Sequence, residues 1–219
     1  MSTKEIIHIE GVAVWPHLTK PDTKWKEEGE YHTKLRIDAD TAEPLLARLE
    51  AMQEQELKVA QKKAKGKKAK PADLPIQPEY DDEGEETGSY ILKAGMKASG
   101  TSRKTGQKWQ RKLPLFDGKG KPVPSSVAVY SGSVLNLAVE PKAWTNPKAE
   151  VGVKLYLEAA QIINLVNGSG SSANTFGFGE VEGADVIHVP DEPANDNDEI
   201  ANDNDDDQDY ASEEDYDFA

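Results

Sequence analysis

Between residues 93 and 121 nine basic side chains face a single acid, Asp117, and an indole stands among them. The nine are Lys93, Lys97, Arg103, Lys104, Lys108, Arg111, Lys112, Lys119 and Lys121, and the indole is Trp109. Ammonium and guanidinium groups in such a run track phosphates, and a flat ring stacks on any base. That combination is what single-stranded nucleic acid asks of a protein surface. Residues 103–107 have the composition of a hairpin tip, after which Lys108, Gln110 and Lys112 alternate with Trp109, Arg111 and Leu113. The competing reading is a solvated hairpin whose Trp109 belongs to the core.

Other aromatic and basic residues divide in the same way. Trp25 lies in a polar loop, Lys24-Trp25-Lys26-Glu27-Glu28-Gly29, with no apolar neighbours in sequence to bury against, and is expected to be exposed. Trp15, beside Pro16, is assigned to the core. Tyr130 and Trp144 flank strand ends and are candidates for either role. Tyr156 shares a face with Lys154, opposite the stripe of Val151, Val153, Leu155 and Leu157, and is a stacking candidate. Lys34 and Arg36 lie on the polar face of their own strand. The lysines of residues 62–70 are expected either to contact phosphate or to receive an acidic segment.

Catalytic constellations are poor. His8, His17, His32 and His188 show no ligand spacing along the chain, and Asp22, Asp38 and Asp40 form no recognisable metal motif. No glycine-rich phosphate loop follows a strand. Without cysteine there is no thiol nucleophile, thiolate zinc site or disulfide framework. An enzyme is not expected, nor is a cofactor or a metal.

The elements that must carry these residues are mostly strands. Strands are expected over residues 5–14, 30–38, 89–97, 108–116, 127–139 and 150–166, with clean period-two alternation in 30–38, 89–97 and the start of 150–166, and with Gly11 breaking phase as a bulge would. One helix is expected over about residues 41–60. It opens on Asp40-Thr41-Ala42-Glu43, which has capping-box spacing, and runs through Leu45, Leu49, Met52 and Leu57. Residues 61–88, first basic and then proline-rich and acidic, are expected to be a loop. Short strands, one inserted helix and long polar loops fit a mainly β, five-stranded Greek-key barrel of the OB type over residues 1–167; a β-sandwich with a helical insertion is the alternative. A Gly/Ser-rich linker over 168–189 and a tail over 190–219 would follow.

The tail concentrates the acidity. Residues 190–219 hold 14 acidic side chains and no Lys or Arg, and they close on Glu213-Glu214-Asp215-Tyr216-Asp217-Phe218-Ala219. Such a block repels itself and buries little apolar area, so disorder is expected. Solubility alone would not require Tyr210, Tyr216 and Phe218; docking into a basic groove with an apolar floor would. The net charge of −14 therefore misleads, because residues 1–154 carry 26 basic groups against 22 acidic ones. A basic body joined to an acidic end points toward a polyanion. No segment approaches the ~18 apolar residues of a membrane span, and no signal-like run follows the N-terminus; a soluble intracellular protein is expected.

Taken in order, several motifs resemble the OB-fold single-stranded DNA-binding proteins of short-tailed bacteriophages with self-sufficient replication systems. They are Thr19-Lys20-Pro21-Asp22 followed by Gly29-Glu30-Tyr31 and Lys34-Leu35-Arg36-Ile37, then Gly66-Lys67-Lys68 before a proline-rich loop. Val139-Glu140-Pro141-Lys142-Ala143-Trp144, Val151-Gly152-Val153-Lys154-Leu155-Tyr156-Leu157-Glu158 and the acidic tail with Phe218 complete the order. The resemblance implies an OB barrel with an added helix and sequence-independent binding of single-stranded DNA in replication, recombination and repair. It also implies a homodimer whose tails shield the DNA clefts, contacts of the tail to the phage DNA polymerase and helicase-primase, and a place in the cytoplasm of the infected bacterial host. One departure is that Phe218 is followed by Ala219. The rival reading is an acidic-tailed chaperone or DNA mimic that sequesters basic proteins.

Overall fold

The computed structural model describes residues 4–63, 68–102 and 104–166. In chain order the elements are β1 (Ile7–Asp22), β2 (Glu30–Asp38), α1 (Ala39–Lys63), β3 (Lys70–Pro71), β4 (Ile76–Tyr80), β5 (Glu86–Lys97), β6 (Ser99–Thr101), β7 (Lys108–Gln110), β8 (Leu115–Phe116), β9 (Val134–Thr145) and β10 (Glu150–Asn164).

Five of these strands close a barrel. Following the hydrogen bonds from β1 leads to β2, then β5, then β10, then β9 and back to β1. Closure rests on a parallel pairing, Tyr156 with Gly95, between β10 and β5; the other four pairings of the ring are antiparallel. This is the strand order of an OB-fold, a Greek-key barrel. β1 serves two neighbours in succession: Ile7 to Val12 pair with β9, and Val12 to Asp22 pair with β2. A strand shared in this way must bend, and its register slips between Val14 and His17 and again before Asp22. Gly11 is not the bulge. Its register is continuous, and a Cβ there would lie 2.7 Å from the Arg36 carbonyl oxygen, so it permits close approach of β2.

Inward-facing residues of the ring form one core, in which Leu35, Leu92, Leu135, Leu137, Val139 and Leu155 are completely buried. α1 packs Ala42, Leu45 and Leu49 against that core. Truncating a fully buried leucine such as Leu49 to alanine costs ~2–5 kcal/mol in settings of this kind. Polar bonds fix the helix as well: Gln53 Nε2 donates to the carbonyls of Ala72 at 2.7 Å and Val151 at 2.9 Å, and Glu56 Oε1 accepts the Thr145 hydroxyl at 3.0 Å.

Several boundaries differ from expectation. The helix begins earlier because Asp38, not Asp40, caps it, accepting the Thr41 amide at 2.7 Å. It also continues to Lys63. Residues 61–88 are not simply a loop, since β3, β4 and the start of β5 fall within them. Residues 108–116 split into β7 and β8, with Pro114, which lacks an amide donor, between them. β9 starts at Val134, seven residues later than expected, because residues 127–133 make a turn held by Gly132 N to Ala13 O and Ser133 N to Tyr130 O. The linker and the tail lie outside the described residues.

Candidate nucleic-acid interface

The outward residues of β2, β5, β9 and β10 form a continuous face. Across it His32 is registered with Gly95, Gly95 with Tyr156, Tyr156 with Glu140, and Lys154 with Lys142. Tyr156 sits between two ammonium groups, Lys142 Nζ 5.5 Å and Lys154 Nζ 5.6 Å from its ring centroid. Each ammonium is also held by a carboxylate, Lys154 by Glu30 at 3.1 Å and Lys142 by Glu140 at 3.2 Å. Gly95 makes room for this arrangement, because a Cβ there would meet Glu30 Oε1 at 2.8 Å. Lys26 and Lys97 join the cluster. Burial holds the Lys26 ammonium below the usual lysine value; Glu30 opposes that effect, and Lys154 and Lys97 reinforce it.

Farther along the face Lys34 and Lys93 are direct cross-strand partners. Like charges placed opposite each other destabilise a sheet. The Lys93 pKa is accordingly lowered, first by desolvation and then by Lys34, with Asp73 acting against both. Arg36 is differently engaged: its Nε lies 2.7 and 2.9 Å from the two carboxylate oxygens of Glu79, which ties β2 to β4.

Two aromatic projections border the end of the face where Lys97 and Glu30 pair. The loop over residues 23–29 carries Trp25, 69 % exposed, with Lys24 Nζ 5.1 Å from its ring. The β6–β7 hairpin is seated on that loop through Ala98 N to Gly29 O and Ser99 Oγ to Glu28 O. Its Trp109 lies across Gly100, where a Cβ would come within 2.6 Å of the ring, and the Arg111 guanidinium stacks 4.8 Å from the ring centroid. Trp109 is thus half-buried against its own hairpin. Lys104, Lys108 and Lys112 are exposed beside it, and Arg103 lies outside the described residues.

The structure separates the remaining aromatics. Trp144 is 7 % exposed and packs over Gly152, its registered partner, where even a methyl group would meet the ring at 2.3 Å. Packing occupies that indole. Tyr130 is exposed on the turn before β9. Trp15, assigned to the core from sequence, is 73 % exposed. It sits in the β1 register slip with φ of 51°, its amide bonded to Ser131 Oγ at 2.9 Å. A non-glycine residue held in the left-handed region is costly and tends to mark function. The only sequence signal was Pro16, which interrupts a strand pattern just after it.

Sequence reasoning also missed Lys26 and Lys142, and the convergence of His17, Asp22 and His32. The donor atoms of these three lie within 4.8 Å of one another. No local spacing announces the trio, because antiparallel pairing of β1 with β2 brings His17 opposite His32 and returns Asp22 beside them. Backbone donation from Lys24 lowers the Asp22 pKa, with lesser help from His32 and His17. Tyr210, Glu213, Glu214, Asp215, Tyr216, Asp217 and Phe218 lie outside the described residues.

A closed OB barrel whose outer face sets the half-buried Tyr156 ring between two lysines, with the exposed Trp25 at its border, has the surface of a polyanion-binding module. Residues 11–165 match the family model described as single-stranded DNA-binding protein, bacteriophage T7, and the chain belongs to that family, a non-enzymatic class. Among solved structures it is similar to gp2.5, a single-stranded DNA-binding protein encoded by bacteriophage T7. That match has a TM-score of 0.65 and 21 % identity, and covers 85 % of this chain and all of the other. It is also similar to the single-stranded DNA-binding protein of bacteriophage Enc34, with a TM-score of 0.47 and 17 % identity over 77 % of this chain and 89 % of that one. A comparison with curated protein sequences finds no match.

Proposed function

We propose that this chain binds single-stranded DNA without sequence preference, on the outer face of β2, β5, β9 and β10. The observation that carries this reading is Tyr156, bracketed by Lys142 and Lys154 on an accessible sheet face, in a chain of the single-stranded DNA-binding family. A base stacks on the phenol ring, and phosphates take over the two ammonium groups from Glu30 and Glu140. The Lys34–Lys93 pair supplies a further phosphate contact, which relieves a repulsion present in the free protein. Trp25 and the Trp109 hairpin extend the path at one end.

In the same reading the protein works in phage DNA replication, recombination and repair as a homodimer in the cytoplasm of the infected bacterial host. The acidic tail regulates access to the DNA face and recruits the DNA polymerase and the helicase-primase. Family membership supports the setting; the separation of a basic body from an acidic, aromatic end supports the role of the tail. Titration with oligo-dT tests the core claim, with the four tryptophans as reporters. Saturable quenching that weakens with salt is expected. Equal affinity for single-stranded and duplex DNA would refute the single-strand preference, and the absence of any binding would leave the rival, a trap for basic proteins.

A further inference from the structure

Beside the Tyr156 face, β1 and β2 bring together three side chains that metal ions favour. His17 and His32 are registered partners, with ring centroids 4.7 Å apart and planes tilted by 34°. Asp22 returns from the next register slip, and its Oδ2 lies 3.4 Å from His32 Nε2. No two of the three donor atoms are more than 4.8 Å apart.

The 3.4 Å separation is informative. A charge-assisted bond between imidazolium and carboxylate closes to ~2.7–2.9 Å, and this pair does not. Two ligands of one tetrahedral zinc ion, each ~2.0–2.1 Å from the metal, stand ~3.3 Å apart. The His32–Asp22 edge therefore has the length of a zinc-ligand edge. His17, the most exposed of the three, keeps a ring nitrogen within 4.8 Å of both other donors. Asp22 is oriented for the task, since its Oδ1 accepts the Lys24 amide at 2.8 Å and leaves Oδ2 directed to the histidines. A fixed outer hydrogen bond of this type is what holds ligating carboxylates in place.

We propose that His17, Asp22 and His32 form a site for a zinc-class divalent cation, with two imidazole nitrogens, one carboxylate oxygen and a fourth position filled by water. Imidazole with carboxylate suits zinc, cobalt(II) and nickel(II) and excludes magnesium, which prefers oxygen alone. The ion clamps the irregular half of β1 to β2, where two register slips leave the ladder incomplete. The proposal does not depend on the single-stranded DNA reading, and its test contains no DNA.

The test is titration of the full chain with CoCl2 and then ZnCl2 in millimolar Mg2+, which occupies the carboxylate clusters without competing for imidazole. One equivalent of Co2+ is expected to give the visible d–d bands of a four-coordinate site, to be displaced by Zn2+, and to raise Tm. Loss of even an outer partner of a metal ligand costs ~10–100-fold in affinity. His17→Gln, His32→Gln and Asp22→Asn are each expected to weaken Zn2+ binding by at least that much, and His8→Gln to leave it unchanged. If the wild-type chain gives no visible band with Co2+, the site does not exist, whatever the variants do. Equal Zn2+ affinity in the folded His17→Gln/His32→Gln double variant would also overturn the assignment.

Discussion

At the scale of single residues, the four tryptophans and Tyr156 separate by burial into rings that hold the fold and rings that face solvent. Stacking of a base on an aromatic platform contributes ~1–3 kcal/mol, so Tyr156→Ala should weaken oligo-dT binding by that amount. Tyr156→Phe should retain most of the affinity, because the ring and its two flanking lysines remain. Trp144→Ala should do the opposite, costing ~3–5 kcal/mol of stability as a buried aromatic truncation while leaving salt-dependent binding intact in the folded fraction. Urea denaturation and fluorescence anisotropy of labelled oligo-dT read the two quantities independently; a Trp144→Ala protein with normal stability would remove that ring from the core. Lys93 makes a sharper case, because desolvation and Lys34 both lower its pKa. A lysine whose folded pKa lies below its unfolded value destabilises the fold while it is charged, and the cost fades as pH rises through the folded value. Lys93→Gln should therefore leave Tm unchanged or raise it near neutral pH, while lowering the log–log salt slope of DNA binding by ~0.7, the share of one phosphate neutralised on a single strand. A variant that loses stability and keeps its slope would show that Lys93 serves the sheet instead.

Elements, not residues, decide which of the basic groups can act together. The β6–β7 hairpin presents Lys104 and Lys108 beside Trp109. Replacing Arg103, Lys104 and Lys108 together by alanine should flatten the salt dependence by ~0.7 for each phosphate that is no longer neutralised, and an unchanged slope would move the main phosphate path to the Tyr156 face alone. The helix offers a control with no bearing on DNA. The Thr41 hydroxyl and amide hold the Asp38 carboxylate below its usual pKa. A carboxylate depressed in the folded state adds stability above its unfolded pKa of ~3.9 and loses it as pH falls through the folded value. Asp38→Ala should thus lower Tm at neutral pH and converge with wild type in acid, with oligo-dT affinity untouched. Much of this architecture was legible in the sequence. Alternation in residues 30–38 reports which side chains turn inward, and leucines at helical spacing report α1, because both patterns follow directly from burial of one face. The slips in β1 were not legible: they arise from sharing one strand between two neighbours, a demand set by barrel closure and not by any local residue. Trp15 and the His17–Asp22–His32 group sit at those slips, so they went unread for the same reason as the slips themselves. The partner of Arg36 was not legible for a related reason, since Glu79 lies 43 positions away on β4.

For the whole molecule the decisive quantity is the distribution of charge along the chain. Residues 1–154 hold four more basic than acidic groups, and residues 190–219 hold 14 acidic groups with no basic one. Tethering within one chain sets an effective concentration of roughly millimolar for oppositely charged parts, so on the proposed reading the acidic part would compete with DNA for the lysine face without any partner present. Tyr210, Tyr216 and Phe218 would add apolar anchoring that carboxylates alone lack. Ending the chain after Val189 should therefore tighten binding to oligo-dT, and the gain should depend on salt. The Debye length is ~10 Å at 0.1 M and ~3 Å at 1 M, so the advantage of the shortened chain should be largest at low ionic strength and shrink toward none near 1 M. On the proposed reading the same truncation should abolish capture by the replicative polymerase, because DNA on the lysine face would release the acidic end for a basic partner. Salt titrations of the two proteins against one oligonucleotide separate the alternatives. If their affinities coincide at low salt, intramolecular competition is excluded, and the acidic end acts on partners alone.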